Sequence, residues 1–290
     1  MRPSSVEFPL PSLAIIGLGL IGGSLALDLK KQGIVKQVIG YDLREEHCQQ
    51  ALRLGIVDQA STVWDEALKQ ATLVVLAVPV RSCSTVIREL RGKLSPQVVM
   101  TDVGSVKGPV MRLMASEFSD IAFVGGHPIA GSEQFGPQHA RTGLFQNKMF
   151  IVTPANNTAP EHLELIRSLW ERVGSRVITM DENTHDRVFS WVSHLPHLLA
   201  YGSIQTIAGA DEPEILKFSG AGLKDFSRIA SSSPEMWADI FLENKANLLA
   251  NLNKFFAVMQ NLQTAIEQDD RDGLAQLLQQ AKASRDQWIS

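Results

Sequence analysis

Short apolar runs alternate with helix-period segments through the first 180 residues of the chain. The runs "LAIIGL" (13–18), "QVIGYD" (37–42), "TLVVLAVP" (72–79), "QVVMTD" (97–102), "IAFVGG" (121–126), "MFIVTP" (149–154) and "RVITM" (176–180) predict seven strands. Several are apolar nearly throughout, as parallel strands covered on both faces are. Between them, "SLALDLKKQG" sets Leu25 and Leu29 on one helical face and stops at Gly33. "PEHLELIRSLWERVG" starts on a proline suited to a first helical turn and ends at Gly174. Alternating strand and helix predict a Rossmann-type, doubly wound α/β domain with a mainly parallel sheet.

After Met180 the strand pattern stops, and from Glu182 onward the chain reads as helices broken by glycine-containing turns near 209, 220–222 and 273. The expected division is a tail over 1–11, an α/β domain over 12–180 and a helical domain over 181–290. Glu235 to Asp272 contains neither Gly nor Pro, so a single helix there would approach ~57 Å at about 1.5 Å per residue. Within it Leu248, Leu252, Phe255, Met259, Leu262 and Ile266 follow alternating steps of four and three, a heptad seam. Such a seam packs on a helix of the same chain or on a second subunit. The length favours a homodimer joined through the C-terminal helices, because one domain offers too little surface to cover so long a helix.

Composition narrows the partners. With 290 residues and 44% hydrophobic content the chain can bury a full core. A net charge of −4 and the lack of any Lys/Arg run argue against a nucleic-acid partner. Cys48 and Cys83 have no CxxC or histidine ligand spacing, which fits a reduced, cytoplasmic protein without structural zinc. The uncharged stretch from Phe8 to Leu27 carries Pro9, Pro11, Gly17, Gly19, Gly22 and Gly23, too many breakers for a membrane span.

That stretch has another use. "IIGLGLIGGS" holds Gly17, Gly19 and Gly22 in the G-x-G-x-x-G spacing, after a strand and before a helix, and these glycines with Leu20 and Ile21 are expected to bind the cofactor. The first glycine permits the tight turn, the second lets backbone approach a pyrophosphate and the third lets helix and strand pack closely. The second strand ends in Asp42, twenty residues beyond Gly22, where an acid binds an adenosine ribose and repels a 2′-phosphate. The cofactor expected is therefore NAD, a preference that Arg44 nearby weakens somewhat.

A nicotinamide enzyme also needs a group to take the proton that accompanies the hydride, and in doubly wound sheets such groups follow the strands' carboxyl ends. "TDVGSVKG" and "GGHPIAG" occupy such positions and offer Ser105, Lys107 and His127. A histidine suits proton transfer near neutrality, although a lone histidine is more often structural. In "SHLPHLLA", Pro196 frees the carbonyl of Val192, so the helix is expected to kink or break there, with His194 and His197 on one face beside the break. Their spacing of three, without further ligands, favours hydrogen bonding over a metal. In "GAGLKDFSRIASSSPEMW", Arg228 offers a planar fork for a carboxylate, or a plain surface ion pair.

Taken in order, "GLGLIGGS", "TDVGSVK", "GGHPIAGSE", "HDRVFSWVSHLPH", "LKDFSRIA" and "PEMWADIFLEN" resemble the prephenate and arogenate (cyclohexadienyl) dehydrogenase family of tyrosine biosynthesis, over nearly all of residues 12–290. The resemblance implies a nucleotide-binding domain followed by a helical substrate-binding and dimerisation domain. It implies that hydride leaves the ring carbon bearing the hydroxyl for NAD while the ring carboxylate departs as carbon dioxide. Prephenate then yields 4-hydroxyphenylpyruvate, and arogenate yields tyrosine. By resemblance, His127 matches the histidine that promotes deprotonation of the ring hydroxyl, and Ser105 shares that hydroxyl. Arg228 matches the arginine on the ring carboxylate, and His197 the histidine facing the substrate side chain. His194 is expected as a structural anchor, Lys107 as positive charge near the substrate, and Glu133 and Asp186 as polar residues at the pocket entrance. Family members often carry a fused chorismate mutase or a tyrosine-binding regulatory domain. Here a monofunctional core is expected, with prephenate the preferred substrate. A β-hydroxyacid dehydrogenase and a non-catalytic NAD sensor are the rival readings. Such dehydrogenases use a lysine on the helical side, and a sensor needs neither His127 nor Arg228.

Overall fold

The apolar runs assemble into one eight-stranded sheet in the computed structural model, which describes residues 7–131, 134–212 and 214–289. The strands are β1 (Leu13–Ile16), β2 (Val38–Tyr41), β3 (Gln59–Ser61), β4 (Leu73–Leu76), β5 (Val99–Asp102), β6 (Ala122–Pro128), β7 (Met149–Pro154) and β8 (Arg176–Thr179). Their spatial order is β3-β2-β1-β4-β5-β6-β7-β8, and every neighbouring pair is parallel except β6 with β7. Helices α1 (Leu20–Lys31), α2 (Glu45–Arg53), α3 (Glu66–Lys69), α4 (Ser82–Glu89), α5 (Gly108–Glu117) and α6 (Pro160–Arg172) lie between the strands.

Strands β1, β2, β4 and β5 are buried along their whole length because both faces of the sheet are covered. In β1, Leu13 and Ile15 join a core with Leu25 and Leu29 of α1 and Trp170 of α6. The alternate residues Ala14 and Ile16 join a second core with Ile87 of α4 and Met111 and Met114 of α5. Trp170 is fully buried and stacks on Phe150 at 4.0 Å and 13°. The strand β3 escapes the sequence pattern because "QAS" is a short, partly exposed edge strand with no apolar run to announce it.

The remaining helices are α7 (Glu182–Phe189), α8 (Leu195–Ala208), α9 (Ala221–Ser227), α10 (Pro234–Glu243), α11 (Lys245–Glu267) and α12 (Arg271–Ile289). Two expectations are corrected here. Of the kink or break expected at Pro196, the break does not occur; a π-helical turn over Ser190–His194 joins α7 to α8, and Pro196 sits in the first turn of α8. The Leu195 N–H reaches back five residues to the Ser190 carbonyl, and this widened turn lets a residue without an N–H enter a continuous helix. The expected unbroken helix over 235–272 is instead interrupted twice, at Asn244, whose backbone (φ −111°, ψ 29°) ends α10 and opens α11, and again after Glu267, before α12 begins at Arg271. The heptad positions grade from buried Leu248 to Met259 and Ile266, which are 45% and 62% exposed. No residue of α12 is buried. Among the described residues, no helix is long and apolar enough to cross a membrane.

Candidate active site

The C-terminal ends of β1, β4, β5 and β6 line one edge of the sheet, and the strand order reverses between β1 and β4, the point at which doubly wound sheets bind ligands. Gly17 turns the chain there with φ +100°, and a Cβ on it would lie 2.3 Å from the Ala77 carbonyl oxygen. A Cβ on Gly22 would lie 2.2 Å from the Gly17 carbonyl oxygen, so α1 packs against the loop with no room for a side chain. Gly19 has nothing within 4 Å of its would-be Cβ, an open approach suited to a pyrophosphate at the α1 N-terminus. Leu20 is buried and Ile21 packs partly buried against the core, anchoring the first helical turn. At the end of β2, Asp42 Oδ2 accepts the Leu18 N–H at 3.0 Å, so the acid braces the glycine loop. Its Oδ1 accepts the Arg44 N–H at 3.0 Å, and His47 Nδ1 lies 3.1 Å from Oδ2. The Arg44 side chain is exposed. These residues fit a dinucleotide.

Three strand spacings from β1, at about 4.8 Å each, the strand β6 carries His127. Pairing of β6 with β5 ends at Val124, while pairing with β7 continues to Pro128. The backbone of Gly126 therefore has no strand partner on the β5 side. Asp102 and Lys107 fill that gap: Asp102 Oδ1 accepts the Gly126 N–H at 3.0 Å and Lys107 Nζ donates to the Gly126 carbonyl at 2.6 Å. Lys107 Nζ also bonds Asp102 Oδ2, which accepts the Gly104 N–H at 2.9 Å. Only glycine fits at 126, since a Cβ would lie 2.4 Å from the Phe150 ring and 2.7 Å from the Asp102 carbonyl oxygen. Lys107, expected as positive charge near the substrate, has its ammonium fully buried on Asp102 and Gly126, where it clamps the strand that bears His127.

Asp186 also serves the fold. Expected among the polar residues of the pocket entrance, it is buried between the two domains, where Oδ1 accepts the Lys107 N–H at 2.8 Å and Oδ2 the Gly108 N–H at 2.9 Å. Those N–H groups open α5, so Asp186 of α7 caps a helix of the other domain. Burial works against its ionisation, but the hydrogen bonds from His185, Lys107 and Gly108 outweigh it and hold the carboxyl below its ordinary range. His185 bridges Asp186 to His127, its Nδ1 2.8 Å from Asp186 Oδ1 and its Nε2 2.8 Å from His127 Nδ1. Burial, helped by the charges of His185, Lys107 and His194, pushes the His127 pKa well below its usual value. His127 is thereby neutral at physiological pH. His185 and Asp102 were not singled out as site residues in the sequence, although both lie in its chemistry-bearing segments.

The helical domain adds two histidines around Trp237. His197 is half-buried, stacks on the Trp237 ring at 3.6 Å and 22°, and holds its Nδ1 2.8 Å from the Ser193 carbonyl. Burial lowers its pKa; the Ser193 carbonyl opposes that shift and the nearby Arg228 charge adds to it. Arg228 is therefore close enough to His197 for its charge to be felt, and it is exposed. His194 is fully buried, and burial brings its pKa down to about 4. Asn244 Nδ2 donates both to His194 Nδ1 at 3.1 Å and to the Asp186 carbonyl at 2.7 Å. That double tie gives Asn244 a reason to interrupt the helix. Ser105 is half-buried in the loop after β5, and Glu133 lies outside the described residues. Among the described residues, no group of three or more His, Cys, Asp or Glu is arranged to hold a metal ion.

The family model for the prephenate dehydrogenase nucleotide-binding domain matches residues 25–179, and that for the prephenate dehydrogenase dimerization domain matches 181–280. The chain belongs to the prephenate dehydrogenase family. Prephenate dehydrogenase of Bacillus subtilis is 34% identical over 282 residues, covering 95% of this chain and 75% of the relative. Cyclohexadienyl dehydrogenase of Zymomonas mobilis is 35% identical over 276 residues, covering 94% of each. Among solved structures, prephenate dehydrogenase of Aquifex aeolicus in complex with hydroxyphenyl propionate and NAD+ superposes with a TM-score of 0.90 at 36% identity, covering 98% of this chain and 99% of that one. Members of the prephenate dehydrogenase family thus match this chain across both of its domains.

Proposed function

We propose that this protein catalyses the NAD-dependent oxidative decarboxylation of prephenate to 4-hydroxyphenylpyruvate, a step toward tyrosine. The observation that carries the reading is His127, a neutral, rigidly hydrogen-bonded histidine on the sheet edge that also carries the Gly17 to Gly22 loop. The loop and Asp42 would hold NAD, which when bound would supply the acceptor for the hydride leaving the ring carbon that bears the hydroxyl. His127 takes the hydroxyl proton through Nε2, and Ser105 shares that hydroxyl. The electron pair left by the departing proton builds a carbonyl. The bond to the ring carboxylate then breaks, carbon dioxide leaves, and its electrons restore the aromatic ring as the phenol oxygen regains a proton. Arg228 binds the ring carboxylate by a charge-assisted pair. His197, fixed by Ser193 and Trp237, faces the substrate side chain.

The assembly proposed is a homodimer formed by the C-terminal helices. Phe256, Val258, Met259 and Ile266 of α11, with Leu278, Trp288 and Ile289 of α12, present large exposed apolar side chains that a second copy would cover.

One observation favours a second reading, arogenate. The His197 Nδ1–H donates to the Ser193 carbonyl, so the neutral ring offers Nε2 as an acceptor, which suits an ammonium better than a keto group. Incubating the protein with NAD and prephenate, then arogenate, and following reduced-cofactor absorbance tests both. Faster turnover of prephenate supports the primary reading, faster turnover of arogenate the second. NAD reduction with neither acid overturns both.

A further inference from the structure

The histidine–histidine–carboxylate chain behind His127 has only one self-consistent direction. Asp186 accepts two backbone N–H groups, from Lys107 and Gly108, and both bonds require oxygen lone pairs. A protonated Asp186 would spend an oxygen as a donor where backbone donors already point. The carboxyl is therefore ionised and acts only as an acceptor, so His185 donates to it through Nδ1–H at 2.8 Å. A neutral His185 protonated at Nδ1 carries a lone pair at Nε2. His127 must then donate to it through its own Nδ1–H at 2.8 Å, which leaves His127 Nε2 as the basic nitrogen. Phe189 lies against both rings, with centroids 4.9 Å from His127 and 4.5 Å from His185.

We propose that His185 and Asp186 are positioning residues that fix His127 in the Nδ1–H tautomer, so that Nε2 is always the nitrogen presented to the substrate's hydroxyl. The inference rests on the proposed role of His127 as the base. His185 acts through His127 and touches no substrate atom. When His127 becomes an imidazolium, its Nδ1–H bond to His185, backed by the Asp186 charge, stabilises it without any proton crossing to Asp186. The chain also spans the domain boundary, since His127, Lys107 and Gly108 come from the sheet domain and His185 and Asp186 from α7. His127 thus acquires its working tautomer only when the two domains are docked.

The test uses the full-length protein with bound NAD, labelled with 15N-histidine, and reads ring tautomers at neutral pH by long-range proton–nitrogen correlation. His127 in the unsubstituted protein should be protonated at Nδ1. In His185→Gln the side-chain carbonyl can still accept that proton, so the tautomer should persist and kcat with prephenate should stay within about tenfold. In His185→Phe no acceptor remains; the tautomers should mix and kcat should fall by roughly 10²-fold or more, with KM for prephenate changed by less than about threefold. An Nε2–H tautomer in the unsubstituted protein overturns the proposal. So does a His185→Phe enzyme with normal kcat, or a His185→Gln enzyme that loses activity while keeping the Nδ1–H tautomer. If His185→Phe fails to fold, the tautomer in the unsubstituted protein and the His185→Gln variant still decide. If the unsubstituted protein reduces no NAD with either acid, the proposed function fails, and the tautomer signal alone then judges the relay.

Discussion

Replacing Lys107 separates a structural clamp from a substrate contact. Lys107 and Asp102 are 0% and 1% exposed, and their ion pair holds both backbone groups of Gly126 where β5 has ended. Lys107→Met leaves the Asp102 carboxylate buried with only the Gly104 and Gly126 N–H groups to compensate it. Removing one partner of a buried pair costs about 3–5 kcal/mol. At about 2–4 °C per kcal/mol for a domain of this size class, Tm should drop by about 6–20 °C. The double variant Lys107→Met with Asp102→Asn carries no uncompensated charge and should be more stable than Lys107→Met alone. Because Gly126 precedes His127, kcat should also fall, while KM for prephenate stays nearly constant. Thermal unfolding and steady-state kinetics on the two variants and the unsubstituted protein provide the readout. An unchanged Tm with a KM raised tenfold or more would refute the clamp and return Lys107 to the substrate.

Arg228→Gln should raise KM for prephenate about 10- to 150-fold, the equivalent of a charge-assisted hydrogen bond of about 1.5–3 kcal/mol, with NAD affinity unchanged by calorimetry. Stability should depend on pH through the buried histidines. His194, with its pKa down to about 4, is neutral when folded, whereas the unfolded chain takes up a proton near the ordinary histidine value. Its contribution is complete above about pH 6.5 and shrinks by about 1.4 kcal/mol per unit as pH falls toward 4. Urea unfolding at about pH 7.5 and about pH 5 should reveal this loss, and His194→Gln should flatten it. An identical slope in the variant would contradict the burial argument. Phe256 is 56% exposed on α11, so Phe256→Glu should shift the protein from dimer to monomer in sedimentation experiments, and an undisturbed dimer would place the interface elsewhere.

The glycine loop was legible in the sequence because its requirement is local: Gly17 needs a positive φ and Gly22 needs the absence of a side chain. The central strands were legible because burial on both faces forces unbroken apolar runs. His185 stood in plain view beside Asp186, but its meaning comes from a partner 58 residues away, and no periodicity encodes such a contact. Lys107 and Asp102 lie only five residues apart, yet their full burial follows from where β5 stops relative to β6, a matter of register. The break at Asn244 was invisible for a similar reason. The absence of Gly and Pro permits a continuous helix, but tying His194 and Asp186 with one amide is a tertiary demand that overrides it.

The proposed role of His127 as the base for the substrate hydroxyl is isolated by His127→Asn. In that variant kcat for prephenate-dependent NAD reduction should fall by about 10²- to 10⁴-fold, with NAD affinity unchanged. Turnover within about tenfold of the unsubstituted enzyme would contradict that role and remove His127 from the chemical step.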